Sequence, residues 1–164
     1  METSGRRHAL TLLLVDLRDP LNVGSAFRIA DATGAKIVLA GTTPTPPNSK
    51  INKTARSTVR SVPYQTVVNG MDFLMSKRQE GAHLLALELT DSSSSVLSYE
   101  LPQDVRDGHR EVVLLPGAEA AGVAPELLAQ VDAAVHLPMH GQNTSLNVSV
   151  AIGAAVYALL GQLQ

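Results

Sequence analysis

The sequence has no cysteine and no tryptophan, and only three tyrosines and two phenylalanines in 164 residues. Without cysteine there is neither a disulfide framework nor a thiolate metal site. The five histidines form no HExxH motif, so a metal enzyme is not expected. With so few aromatic rings, the core has to be built from Ala, Val and Leu. Charged residues make up only 17% of the chain against 45% hydrophobic, the balance of a globular domain. At this length a single domain, residues 1–164, can bury a core without crosslinks. Long apolar runs are missing as well. The run after Arg6 and Arg7 breaks at Asp16 and lacks a small-residue cleavage site, so it reads as a first strand rather than a signal peptide. Residues 148–160 are too short to span a bilayer comfortably. A cytoplasmic protein, not a membrane one, is expected.

Acidic residues are absent between Asp31 and Asp72, where Lys36, Lys50, Lys53, Arg56 and Arg60 all fall. The net charge of −2 argues against a nucleic-acid binder, but this distribution argues for one. Lys50, Lys53, Arg56 and Arg60 recur at spacings of three, three and four. Such spacing predicts one face of a helix, a stripe suited to phosphates. Several catalytic signatures are also missing. There is no GxxxxGK[ST], no GxGxxG after the first strand and no GxSxG elbow. The segment 117–122 (GAEAAG) lacks the central glycine of a dinucleotide site.

What is present is alternation. Residues 9–16 (ALTLLLVD) read as a strand buried on both faces. Asp19-Pro20 breaks the run, and Asn22 is expected to cap a helix over 23–33 that Gly34 closes. Residues 36–40 read as a strand and 41–49 as a proline-rich loop. The basic helix follows, then a weak strand at 62–68 and a helix at 71–79. Strands are expected at 83–89, 111–115 and 134–137, with a flexible serine-rich loop at 91–95, an exposed stretch at 101–110 and a short helix opened by Pro125. This order predicts an α/β domain with a mostly parallel sheet flanked by helices, with its ligand beyond the carboxyl ends of the strands. Three such ends carry unusual residues: Glu88, Gly117 with Glu119, and residues 139–145. The stretch 138–160 (PMHGQNTSLNVSVAIGAAVYALL) runs from a polar, glycine-containing loop into an Ala/Gly/Val helix. Such a helix mouth suits a bound ligand, although Ser145 or Asn147 would also serve as a plain cap.

Three motifs occur in one order: NVGSAFRIADATG at 22–34, LLPGAEAAG at 114–122 and LPMHGQNTSLNVSVA at 137–151. With them the sequence resembles the SpoU/TrmH class of RNA ribose 2'-O-methyltransferases of the SPOUT superfamily. The resemblance implies a C-terminal deep trefoil knot, a homodimer and S-adenosylmethionine bound in the knot. It assigns Gly117, Leu137 and Leu146 to the cofactor, with Leu87, Glu88 and Met139 as neighbours. It assigns Arg28, Asn22, Glu119, Ser145 and Asn147 to catalysis and substrate contact. An arginine is a very poor base, because its pKa exceeds about 12. Arg28 is therefore expected to grip phosphate and orient the ribose. The implied partner is RNA, with tRNA first and rRNA as the runner-up, held by Lys50, Lys53, Arg56 and Arg60. Two departures stand out. Ala118 and Ala120 flank Glu119 where the family usually has a polar residue and often a glycine. Arg56 and Ser57 stand in the basic segment where relatives often read KTAxGA. The first departure keeps open a non-catalytic RNA-binding protein with the same fold.

Overall fold

The computed structural model describes residues 8–163. In chain order its elements are β1 (Leu10–Val15), α1 (Pro20–Thr33), β2 (Lys36–Ala40), α2 (Ser49–Ala55), a 3-10 turn (Thr58–Arg60), β3 (Tyr64–Val67), α3 (Gly70–Gln79), β4 (His83–Leu87), β5 (Ser94–Ser95), α4 (Gln103–Arg106), β6 (Val112–Pro116), α5 (Pro125–Leu128), β7 (Ala133–His136) and α6 (Val148–Leu160). The sheet has seven strands in the order β3-β2-β1-β6-β4-β7-β5. All six strand pairings of the sheet are parallel, and an isolated bridge between Ala118 and Gly122 is antiparallel. The α/β architecture expected from the alternation of strands and helices is therefore the one observed.

The continuous apolar runs follow from that topology. A parallel sheet is covered on both faces, so both sides of each central strand are apolar. Leu12 and Leu14 point into one core with Phe27 of α1, Ile51 of α2 and Ile152, Val156 and Leu159 of α6. Leu13, between them, points into the other core, with Leu74 of α3 and Leu127 of α5. All five residues of β4 and of β6 are buried.

The start of α1 corrects the expected cap. Asp19, not Asn22, is the N-cap, its carboxylate accepting the Leu21 N–H at 2.9 Å, and Pro20 occupies the first turn. Proline loses no hydrogen bond at that position and brings the right φ, so Asp19-Pro20 opens the helix instead of breaking the chain. Asn22 is thereby free to turn its side chain elsewhere. Gly34 closes α1 in the left-handed region, as the sequence predicts (φ 78°).

The basic helix is shorter than its spacing suggests. Asn48 caps α2, which ends at Ala55, and Arg56 turns to positive φ (59°). The Thr58 hydroxyl donates to the Ala55 carbonyl at 2.6 Å, supplying a side-chain donor at the helix end. Lys50 and Lys53 thus share α2, whereas Arg56 lies at the corner and Arg60 in the 3-10 turn. The stretch 101–110 is not exposed throughout. Leu101 and Val105 are buried, with α4 between Gln103 and Arg106. The serine-rich loop ends in β5, which extends the sheet beyond β7.

Helices α1 and α2 cross closely because residue 24 is glycine. A Cβ there would fall on the Thr54 hydroxyl and the Ile51 carbonyl, and Thr54 donates to the Leu21 carbonyl at 2.8 Å. That contact sets α2 against α1 and brings Lys53 and Arg56 beside Arg28.

Candidate functional site

The carboxyl ends of β4, β6 and β7 open into one cavity of about 520 Å³. Leu87 and Glu88 come from the end of β4, and Gly117 and Glu119 from the loop after β6. Leu137 and Met139 follow β7. Ser145, Leu146 and Asn147 lead into α6, and Asn22 reaches in from α1. These ten residues were singled out from sequence and are brought together here, although they come from four separate segments. Arg28 is not among the residues lining this cavity.

Two carboxylates tie the loops around it. The Glu88 Oε2 accepts the Val123 N–H at 3.0 Å. A Cβ on Gly117 would lie 2.5 Å from that same oxygen and one on Gly122 2.7 Å. Glycine is therefore required at both positions for the loop after β6 to close over Glu88. Glu119 accepts from Asn22 Nδ2 at 3.1 Å, from the Asp19 N–H at 3.1 Å and from the Arg18 N–H at 3.2 Å. Burial pushes the Glu119 carboxyl up. The hydrogen bonds from Asn22 and from its own, Asp19 and Arg18 backbone groups outweigh that and hold it below its ordinary value. The second loop is thus fastened to the first turn of α1 through an ionised carboxylate.

Ala120, directly after Glu119, has φ 55°. This is the region in which a Cβ crowds the backbone, at a cost of about 1–2 kcal/mol. A glycine would occupy it freely, which gives a physical reason for the glycine that the resemblance leads one to expect here.

Asn147 caps α6. Its Oδ1 accepts the Ser149 N–H at 3.0 Å and the Ser149 hydroxyl at 2.6 Å. The plain capping role is thus real, and it presents the start of a 13-residue helix at the cavity rim.

Beside the cavity, a groove of about 340 Å³ runs between α1, α2 and the first turn of α6. Arg28, Lys53 and Arg56 line it together with Ser25 and Ser149. Arg28 is exposed and has no ion-pair partner among the described residues, Asp31 included. Lys50 and Arg60 do not line this groove. Three cations with no carboxylate among the lining residues suit a polyanion.

His136 lies in the cavity wall without having been singled out from sequence. It ends β7 one residue before Leu137, and its Nδ1 is 2.8 Å from the Ser93 hydroxyl. Position at a strand's carboxyl end was the signal that could have found it.

The residues present fit S-adenosylmethionine. Leu87, Leu137, Leu146 and Met139 offer apolar surface for an adenine and a thioether chain, and Glu88 offers an acceptor for a hydroxyl or ammonium group. Gly117 and Gly122 leave the close approach that side chains would block.

Residues 9–157 match the SpoU rRNA Methylase family. The chain is 32% identical over 156 residues to the 23S rRNA (guanosine-2'-O-)-methyltransferase RlmB of Ralstonia nicotianae, covering 93% of this chain and 59% of that protein. An AdoMet-bound rRNA methyltransferase from Sinorhizobium meliloti superposes with a TM-score of 0.85 at 29% identity, over 97% of this chain and 58% of that one. A structure described as giving insight into 2-OH methylation of C/U34 on tRNA superposes with a TM-score of 0.82 at 25% identity, over 95% and 97%. The chain thus spans about 59% of the length of the curated relative.

Two outcomes test this geometry. Glu119 has a folded-state carboxyl below its ordinary value, so its stabilisation is complete above the unfolded pKa near 4.5 and is lost as pH falls through the lower folded value. Glu119→Gln should be less stable than wild type in urea at pH 7, with the gap closing below pH 4.5; a gap constant down to pH 3 contradicts the assignment. Ala120→Gly should stabilise the protein by about 0.5–1 kcal/mol, the relief of crowding less the added freedom of glycine in the unfolded chain. A lower melting temperature for that variant would refute the strain.

Proposed function

The chain belongs to the SpoU rRNA Methylase family, and from that premise we propose that it transfers a methyl group from S-adenosylmethionine to a ribose 2'-hydroxyl of RNA. The observation that carries this reading is the juxtaposition of the cavity at three strand ends with a groove of three cations on the same helices. When bound, S-adenosylmethionine supplies a methyl group already activated by a sulfonium. The protein's tasks are then to align the hydroxyl with that methyl and to take up a proton.

Each group on the page has a role in that reading. Leu87, Leu137, Leu146 and Met139 hold the cofactor, with Glu88 accepting from its polar groups and Gly117 admitting it closely. Glu119 fixes Asn22 at the edge of the cavity, where its amide faces the incoming ribose beside Ser145. Arg28, Lys53 and Arg56 take the phosphates next to the target, and Lys50 and Arg60 add longer-range attraction. Arg28 orients the ribose through its phosphate and stays protonated throughout.

The relatives favour rRNA over the tRNA that the sequence puts first. The RlmB relative is named for 23S rRNA and the Sinorhizobium structure for rRNA, whereas the third is described with tRNA. We therefore take rRNA as the first substrate class and tRNA as the second. The base is left open by the same names, guanosine for one relative and C or U for another.

A homodimer belongs to this proposal. Val150, Ala154, Tyr157 and Gly161 are exposed along one stripe of α6, with Leu146 and Leu21 also exposed. A second copy would cover this apolar stripe, whose small residues permit close helix approach. The knot implied by the resemblance, formed by the segment entering α6, is proposed with it.

Unmodified rRNA and tRNA incubated with the protein and labelled S-adenosylmethionine should yield a labelled 2'-O-methylnucleoside on digestion. Arg28→Ala should lower that transfer by about 100-fold or more while leaving folding and cofactor affinity intact. Wild-type turnover by a folded Arg28→Ala protein would sink its role, and cofactor-free RNA binding with no transfer would favour the non-catalytic alternative. Sedimentation at micromolar concentration should give twice 17.3 kDa; a monomer alone would remove the dimer.

A further inference from the structure

A second cavity of about 860 Å³ lies on the far side of Glu119. It is walled by the loop from β1 into α1, with Asp16, Arg18 and Asp19, and by the loop after β6 as far as Pro125. It shares Ala118, Glu119, Ala120 and Gly122 with the cofactor cavity. One stretch of backbone and one carboxylate therefore separate the two.

A ribose presenting its 2'-hydroxyl at the cofactor cavity carries its base on the adjacent carbon, C1'. That base has to enter a neighbouring space. The basic groove is suited to phosphates, since it gathers three cations. The second cavity is unsuited to them, because Asp16, Asp19 and Glu119 all line it. A neutral group with both donors and acceptors fits it better.

Its polar groups are held in place yet have capacity to spare. The Arg18 backbone N–H is fixed on Glu119, while its exposed guanidinium has no hydrogen bond or ion pair among the described residues. Asp16 accepts from the Thr42 N–H at 2.8 Å and the Thr42 hydroxyl at 3.1 Å through Oδ1 alone. Asp19 caps α1 through Oδ1 alone. Each carboxylate keeps a second oxygen without a protein partner among the described residues. The cavity thus offers one two-pronged donor and two acceptors.

We propose that this cavity receives the base of the methylated nucleotide, lifted out of its stack, and that Arg18 reads it as guanine; the inference rests on the ribose methyltransferase reading above. Guanine presents the paired acceptors O6 and N7 to an arginine fork and amino and imino hydrogens to carboxylates. Adenine would set its N6 amino group against the guanidinium, donor against donor. Cytosine and uracil lack the O6/N7 pair altogether. The phosphate groove, the methyl-transfer cavity and the base cavity then hold three parts of one nucleotide around the first turns of α1 and α6.

The test uses the RNA fragment in which mass spectrometry locates the methylated nucleotide, remade with G, A, C or U at that position. Wild type should favour G over the other bases by about 10- to 100-fold in kcat/KM. Arg18→Ala should reduce that preference to within about threefold, with S-adenosylmethionine affinity by calorimetry unchanged. Arg18→Lys keeps the charge without the fork, and should lose the preference while retaining RNA affinity. A wild-type preference for another base, no preference, or a G preference that survives Arg18→Ala would overturn the proposal. Restoration of the preference by lysine would also overturn it, because a point charge would then suffice. Absence of ribose label on any natural RNA would instead strike the underlying methyltransferase reading, and is distinguishable because it precedes any base comparison.

Discussion

The Glu119 carboxylate is the contact on which the rest of the site depends. It accepts the backbone N–H groups of Arg18 and Asp19, just before α1, and the side-chain amide of Asn22, and so couples the loop after β6 to the helix carrying Asn22 and Arg28. The arrangement uses two general properties of helices. The first N–H groups have no intrahelical partner, and the N-terminus favours negative charge. Asp19 serves the Leu21 N–H, and Glu119 serves the two N–H groups just before the helix. Both cavities have Glu119 in their walls, so its placement sets the distance between them.

A second coupling works by omission of side chains. Glu88 closes on Val123 only because Gly117 and Gly122 present no Cβ, and α2 nests on α1 only because Gly24 presents none. The first brings the ends of β4 and β6 together around one space. The second brings the cations of α2 to the arginine of α1. A rigid parallel sheet supplies the common frame, since the three contributing strand ends lie adjacent in the order β6-β4-β7. Loops held by such a frame can position polar groups without burying them, which is why functional residues accumulate there.

Much of this was legible in the sequence, for identifiable reasons. Strands buried on both faces write continuous apolar runs, so β1, β4 and β6 could be read directly. The rule that ligands sit beyond strand carboxyl ends selects Glu88, Gly117 and Met139 from the sequence alone. What failed were choices between equivalent local signals. Asp19 and Asn22 are both good caps, and a proline after the first serves equally as a helix opener or a breaker. The spacing of Lys50, Lys53, Arg56 and Arg60 is helical, but the Thr58 hydroxyl reaching the Ala55 carbonyl is a local contact that the spacing of the basic residues does not encode. Leu101 and Val105 are two apolar residues in a polar stretch, too few to announce that a single helical turn there packs Val105 into the core. Arg18 carried no signal at all, since its distinction is a backbone N–H bonded to a residue 101 positions away.

The wall formed by residues 118–122 belongs to two spaces at once. An occupant of one space that shifts or stiffens this wall changes the free energy of filling the other. Thermodynamic linkage makes that change mutual: whatever factor the first occupant imposes on the affinity of the second, the second returns unchanged. With both spaces filled as proposed, a loop of five residues with a left-handed alanine at its centre is where such linkage would act.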